Sequence, residues 1–314
     1  MLKNLTVANN FGEIKKSIRE YADTEKSFLW TPQSERLSVS DFSDSGLSTA
    51  QTLIGIPSRF MCDNRKAHNE LCQQILDTKM NDYCEKTNKS ILVRSWEDKT
   101  EALLSDTYGI FDDTEMLDIL ENVPYFTERS IIWYRNDASH THIRFIDNEE
   151  LNVSEDSSPL SLAIFVDNSM VGKGSLSVKF GVYRHACTNG MIWGLHSLTI
   201  VRQIHKSGKD FSDILLSALA DTDNIKEILT KNIKGMINTE SSINGLDEDK
   251  AVDYLRVKLA VSTKFAKSII ESYTEKYGKF GNSKYALVNA ITDKAHDLSL
   301  DSRLRLERIA LKVA

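Results

Sequence analysis

The sequence predicts an α+β fold: an antiparallel hairpin-rich sheet with packed helices, followed by a helical C-terminal region. Three observations carry this prediction. Runs rich in β-branched and aromatic residues arrive in pairs joined by short polar turns, as hairpins do. From about Met191 onward the apolar spacing lengthens to three or four and stays helical to the end. The chain has 314 residues, 41% hydrophobic and 27% charged, enough to bury one large core or two smaller ones.

The elements follow in order. Residues 10–23 read as a short amphipathic helix. The stretch from Ser34 to Thr49 holds six serines in sixteen residues without a sustained period, so a surface connection is expected. A helix is predicted from about Asp63 to Met80, where Leu71, Cys72, Ile75 and Met80 approximate one stripe. ILVRSW at 91–96 turns through Glu97-Asp98-Lys99 into EALLSDTY as a hairpin. Asp112 or Asp113 can cap a helix that ends before Pro124. RSIIWYRN and HTHIRFI flank Asp137-Ala138-Ser139 as a second hairpin. An acidic connection at 147–159 leads to two further strands, SLAIFVDNSM and GSLSVKFGVYRHAC, and helical breaks are expected near Gly245 and Gly278–Gly281. The expected division is 1–60 for an N-terminal helix and connecting segment, 61–210 for the α+β core and 211–314 for the helical region.

Composition excludes several function classes. No run approaches the roughly 20 apolar residues of a membrane span, and the first residues lack the apolar stretch of a signal peptide. A reducing cytoplasm is therefore expected. Cys62, Cys72, Cys84 and Cys187 form no C-x-x-C pair, which argues against a zinc ribbon or a thioredoxin-type site. The net charge of −6 argues, as a mean, against a polyanion partner. That mean hides a division. Residues 1–208 carry net −7, 209–246 net −2 and 247–314 net +3. From Asn168 to Lys209 no Asp or Glu occurs in 42 residues, while Lys173, Lys179, Arg184, Arg202, Lys206 and Lys209 supply six positive charges.

Alternation sorts the side chains of this segment. On a strand, residues two apart share a face. Leu176, Val178, Phe180 and Val182 would form the core face, and Lys179, Tyr183, His185 and Cys187 the other. Asn189-Gly190 would close the strand in a tight turn. A helix beginning soon after would offer unpaired backbone N–H groups to a phosphate, and would gather Arg202, His205, Lys206 and Lys209 into one cationic stripe beside Trp193. Phosphate contacts give affinity and ring stacking holds unpaired bases, so this composition suits single-stranded nucleic acid. A solvated sheet face is the plain alternative. A second cluster, Trp133, Tyr134, Arg135, His140, His142, Arg144 and Phe145, has a similar character.

The stretch ILVRSWEDKTEALLSDTYGIFDDTEMLDIL, and the later YRHACTNGM followed by RQIHKSG, resemble the two hallmark blocks of the phage- and plasmid-borne family called domain of unknown function 932. Together they span about residues 90–210. Thr107 stands where that family often has a basic residue before the tyrosine. The family has no established reaction, so the resemblance implies a mobile-element or phage origin. Its hairpin-then-helix order is also distantly similar to that of Rad52-type single-strand annealing proteins.

Catalytic readings fare less well. VGKGS at 171–175 lacks the first glycine of G-x-x-x-x-G-K-[ST], since Asp167 falls there. His140 and His142 share a strand face but have no metal-binding motif around them, and Cys187 lacks an orienting partner beyond His185 or His196. The expectation is a phage or mobile-element protein that binds single-stranded DNA and anneals strands without nucleotide hydrolysis. Lys173, Lys179, Tyr183, Arg184, His185, Asn189, Gly190, Trp193, Arg202, His205, Lys206 and Lys209 would form its interface. Rings or filaments of the same chain would be its assembly, with no cofactor, no membrane and magnesium dependence left open. The alternative is an anti-defence inhibitor or adaptor that docks on a host defence or replication complex, and a metal-dependent nuclease comes third.

Overall fold

A computed structural model describes residues 11–123, 130–136, 140–156, 158–185, 191–220 and 222–314. Two compact units interleave along the chain. The first holds Met1–Arg144, Val166–Ser177 and Val201–Leu216, the second Phe145–Phe165, Val178–Ile200 and Ser217–Ala314.

In the first unit, helix α1 (Phe11–Ala22) buries Phe11, Ile14 and Ile18, the stripe its spacing predicts. Strands β1 (Lys26–Trp30), β2 (Ile91–Trp96) and β3 (Lys99–Ser105) form an antiparallel sheet in the order β1-β2-β3. The central strand is covered on both sides. Ile91 and Val93 join the core shared with helices α2 (Asp44–Ile54), α3 (Ser58–Asn64) and α4 (Asn69–Thr87), while Leu92 and Trp96 pack with Ala102, Leu104, Met170 and Val171. That double burial explains why ILV runs apolar without alternation. Glu97 and Asp98 both adopt positive φ, 48° and 58°, the twist that a two-residue hairpin turn needs.

The serine-rich stretch is not simply a connection. Ser43 accepts a hydrogen bond from the Gly46 N–H at 2.9 Å and caps α2, whose Leu47 and Ala50 are fully buried. A Cβ on Gly46 would lie 2.1 Å from the Thr100 carbonyl oxygen, so only glycine lets α2 approach β3 this closely. The single helix expected over Asp63–Met80 is two, α3 and α4, parted at Arg65–His68. Helix α5 (Asp113–Glu121) starts after Asp112 at the expected place, but the Asp112 side chain makes no cap hydrogen bond and accepts from Arg94 instead.

The second sheet contains β4 (Ser130–Asn136), β5 (Thr141–Glu150), β6 (Leu160–Asn168), β7 (Leu176–Arg184) and β8 (Met191–Gln203), neighbours in chain order. Strand β8 corrects the helix predicted after Met191. Ile192, Trp193, Thr199, Ile200 and Val201 favour a strand, and hydrogen bonding to β7 outweighs the helical spacing of the cations beyond.

The helical expectation holds from Phe211 on, through α6 (Phe211–Leu219), α7 (Thr222–Ile237), α8 (Glu248–Leu259), α9 (Thr263–Glu275), α10 (Lys284–Ala295) and α11 (Leu300–Val313). Side chains of Asp247, Ser262 and Ser283 cap α8, α9 and α10. Helix α10 is buried along most of its length and packs against α7, α9 and α11. The expected breaks appear at Gly245, with φ 77°, and at a 3-10 turn over Gly278–Phe280. Among the described residues no helix is long and apolar enough to cross a membrane.

Candidate nucleic-acid interface

The two sequence blocks that carry the family resemblance meet in the first unit. The first block leaves β3 as Ser105-Asp106-Thr107-Tyr108-Gly109, and the second leaves β8 as Ile204-His205-Lys206-Ser207. The Ser207 N–H donates to the Thr107 carbonyl at 2.9 Å. Tyr108 and His205 stack with ring centroids 5.1 Å apart and planes 14° apart. Phe211 stacks on His205 at 5.2 Å and on Phe111 at 5.3 Å. A Cβ on Gly109 would lie 2.6 Å from the Lys206 carbonyl, so the glycine is what admits the second block.

His205 is buried in this stack. Its Nδ1 lies 3.1 Å from the Gly109 carbonyl oxygen, which can only accept, so Nδ1 carries the hydrogen. Nε2 is buried and has no hydrogen-bond partner among the described residues. Burial pushes the imidazole below its usual range, the bond to Gly109 opposes that shift, and the charge of Arg94 adds to it. Tyr108 donates its hydroxyl to the Ser169 carbonyl at 2.8 Å, and burial raises its phenol well above the usual value.

Behind the stack lies a polar core that sequence reasoning missed. Arg94 is fully buried. Its Nη1 donates to the Met170 carbonyl at 2.9 Å, its Nη2 to Asp112 Oδ1 at 2.6 Å and to Glu25, and its Cζ stands 4.9 Å from the Trp96 ring centroid. Asp113, also buried, accepts from Thr141 Oγ1 and, at 2.8 Å, from Asn168 Nδ2. Burial lifts Asp113 to about 6, with those two hydrogen bonds opposing the rise. A charged residue inside the apolar run ILVRSW was the available signal for Arg94, because a cation there must find a buried partner.

The sequence-predicted interface residues divide between the units. Lys173, Arg202, Lys206 and Lys209 lie in the first, all exposed. They follow a strand and turns, so the expected helical stripe and its N-terminal phosphate site do not exist. His205, expected beside them as a phosphate donor, points inward instead. Lys179, Tyr183, Arg184 and His185 lie in the second unit. Lys179 and Tyr183 are half-buried, and the apolar face of Leu176, Val178, Phe180 and Val182 is buried as predicted. Tyr183 packs on Ala163 and Phe165 and meets the His185 ring edge-on at 4.7 Å. His185 Nε2 lies 2.9 Å from Ser161 Oγ, and burial lowers the imidazole despite the charge of Glu150.

Arg184 corrects the expectation most directly. It is buried, and its Nε donates to Asp156 Oδ2 at 2.7 Å while Nη2 reaches Asp156 Oδ1 at 3.0 Å and Ser158 Oγ at 2.6 Å. Tyr285 donates its hydroxyl to the same carboxylate at 2.6 Å. This guanidinium is committed to a structural ion pair and does not face a ligand. Asn189, Gly190 and Cys187 lie outside the described residues. Trp193 lies on β8, and its side chain is outside the description.

No curated protein and no solved structure matches the chain. A family model does match, over residues 102–300, which takes in the second block, most of the first and most of the helices beyond. By that match, which covers more than half of the sequence, the chain belongs to the family described as "Domain of unknown function (DUF932)".

Proposed function

We propose that the protein binds single-stranded nucleic acid through its exposed cations and anneals complementary strands without hydrolysing a nucleotide, as a phage or mobile-element protein working in a bacterial cytoplasm. One observation carries this reading. The acid-free segment from Asn168 to Lys209 keeps Lys173, Arg202, Lys206 and Lys209 exposed on one unit of a chain whose net charge is −6. The docked second block fixes the backbone beneath Lys206, so its charge is presented from a rigid base. Passive binding asks for no more than this: backbone contacts supply affinity, and base pairing supplies specificity. Self-assembly into rings or filaments would present a long strand. The likeness to Rad52-type annealing proteins remains an analogy, and it is weakened because β8 stands where a helix would follow the hairpin.

The test is fluorescence anisotropy of labelled oligonucleotides over a salt series, with and without magnesium. Binding that weakens steeply with salt supports the proposal, and absence of binding at low salt overturns it. Magnesium-dependent cleavage would replace it with the nuclease reading.

A second reading, an inhibitor or adaptor that docks on a host complex, is favoured by Ile204 and Ile110, which are 64% and 46% exposed beside the same blocks. Under that reading charge reversal at Lys206 is tolerated and Ile204→Asp is not.

A further inference from the structure

The helical end of the second unit carries cations that the proposed interface leaves unused. Helices α8 and α9 are separated by three residues, Ala260, Val261 and Ser262. Ala260 sits in the left-handed region at φ 50° and ψ 54°, where glycine is the usual residue. The Ala260 N–H donates to the Val257 carbonyl at 3.3 Å and the Val261 N–H to the Arg256 carbonyl at 3.1 Å, the two bonds of a Schellman turn. Ser262 then caps α9 by accepting from the Phe265 N–H at 3.2 Å. From α11, Arg305 Nη1 donates to the Leu259 carbonyl at 2.6 Å and ties the turn to the helix behind it.

Both helices bury one face. Ala251, Val252, Leu255 and Leu259 of α8 and Ala266, Ile269 and Ser272 of α9 are buried, with α10 packed on α9 and α11 on α8. The far end of α9 is moored to α10, because Ser272 Oγ donates to Asp293 Oδ2 at 3.0 Å and Lys276 reaches Asp293 Oδ1 at 2.5 Å. The near end faces outward. Thr263, Lys264 and Lys267 are exposed and lie three or four apart, so they share a face, and among the described residues neither lysine makes an ion pair. Charge also sorts along the pair of helices. Glu248, Asp249 and Asp253 occupy the first half of α8, and Glu271 and Glu275 the last turns of α9. Between them the 17 residues from Tyr254 to Ile270 contain no acid and hold Arg256, Lys258, Lys264 and Lys267. Asp253 takes up Arg256 at 2.7 Å, and the other three stand around the turn and the positive end of the α9 dipole. A helix hairpin kept for packing alone has no use for that segregation, since exposed helix faces ordinarily mix the two signs.

We propose that α8 and α9 are a helix-turn-helix that binds duplex DNA. The N-terminal half of α9 enters the major groove, where Thr263, Lys264 and Lys267 meet base edges and flanking phosphates, and Lys258 meets the backbone beside the turn. Duplex DNA is the occupant this surface fits, because its major groove admits one helix and is walled on both sides by phosphate. The acidic ends of the two helices then lie away from the groove. All of these residues belong to the second unit, and the site stands whether or not Lys173, Arg202, Lys206 and Lys209 of the first unit hold a single strand.

The test is fluorescence anisotropy of the full chain with a labelled blunt-ended duplex of mixed sequence, over a salt series, beside a labelled single strand. The expected result is duplex binding that Lys264→Glu/Lys267→Glu weakens about tenfold at low salt, with a salt slope shallower by about 2, since each phosphate contact on B-DNA contributes about 0.9. Lys264→Gln/Lys267→Gln gives the same reading if charge reversal unfolds the helices. In the bound duplex the wild type should protect guanine N7, a major-groove atom, from dimethyl sulfate. Lys231→Glu/Lys234→Glu, on α7 of the same unit, should leave duplex binding unchanged, which separates a docked helix from bulk charge. Arg202→Glu/Lys206→Glu/Lys209→Glu should weaken single-strand binding and spare duplex binding, so the two sites fail separately. No duplex binding by the wild type at low salt, a folded Lys264→Glu/Lys267→Glu protein that binds duplex as the wild type does, or guanine N7 left open in the complex would overturn the assignment.

Discussion

Tyr108 and His205, 97 positions apart in the sequence, lie face to face at 5.1 Å, and this contact joins the two sequence blocks that carry the family resemblance. The stack holds a neutral imidazole away from water. Because burial lowers the folded-state value, the unfolded chain binds more protons as pH falls below His205's ordinary value of about 6.5. Stability therefore declines with falling pH in that window, with a slope approaching ~1.4 kcal/mol per pH unit from this residue. His205→Phe keeps a ring between Tyr108 and Phe211 and cannot titrate. Denaturant midpoints of the two proteins should converge as pH falls from about 7 to 5. Parallel curves would mean that His205 protonates as readily folded as unfolded.

Asp113 runs in the opposite direction. Its folded value is raised to about 6 by burial, so the native state holds a proton that the unfolded chain has released between roughly pH 4 and 6. The charge carries its full cost above that window and none below it. Asp113→Asn removes the ionisation while Thr141 and Asn168 keep a polar partner. The variant should gain on the wild type by on the order of 2 kcal/mol as pH rises from 4 to 7. Urea melts at both ends of the range measure that difference directly.

The strand pattern of the fold was legible because burial alternates with side-chain direction: Leu176, Val178, Phe180 and Val182 fall on the buried face where the period of two puts them. The same rule places Arg184 on that face, yet its charge drew it into the surface interface. Parity was the better guide. The error at β8 has a different source. Arg202, His205, Lys206 and Lys209 have helical spacing, but three of the four lie beyond Gln203, and the pairing with β7 that makes Met191–Gln203 a strand is not written in that spacing. For the Arg94 cluster only the cation was legible, because its partners Glu25 and Asp112 come from two other stretches of the chain. Ser43 shows the converse. A cap is local, but a serine-rich neighbourhood made it look like loop.

Arg184 and Asp156 should behave as a structural pair. Burial alone would raise Asp156, but the hydrogen bonds from Arg184 and Tyr285 outweigh it and hold the carboxyl below its usual range. Arg184→Ala strands a carboxylate whose side chain has no exposure, a loss of about 3–5 kcal/mol. Arg184→Lys keeps the charge without the two-pronged geometry and should fall between. The Asp156 contribution is present above its unfolded value of about 3.9 and is lost as pH falls through the lower folded one. Chemical denaturation of the three proteins at neutral pH ranks them.

The exposed cations should show the reverse profile, because Arg202, Lys206 and Lys209 stand in solvent where charge reversal costs little stability. Each cation that touches a single strand's phosphate releases about 0.7 of a counterion, so three contacts contribute roughly 2 to the slope of log affinity against log salt. Arg202→Glu/Lys206→Glu/Lys209→Glu should therefore fold as the wild type does, bind oligonucleotides more weakly at low salt, and show a slope shallower by about 2. The two proteins should approach each other in affinity as salt rises, because the screened term is the one removed. An unchanged slope would show that these side chains do not meet phosphate, however much the affinity fell. Setting this triple variant beside Arg184→Ala separates a cation that binds from one that holds the fold.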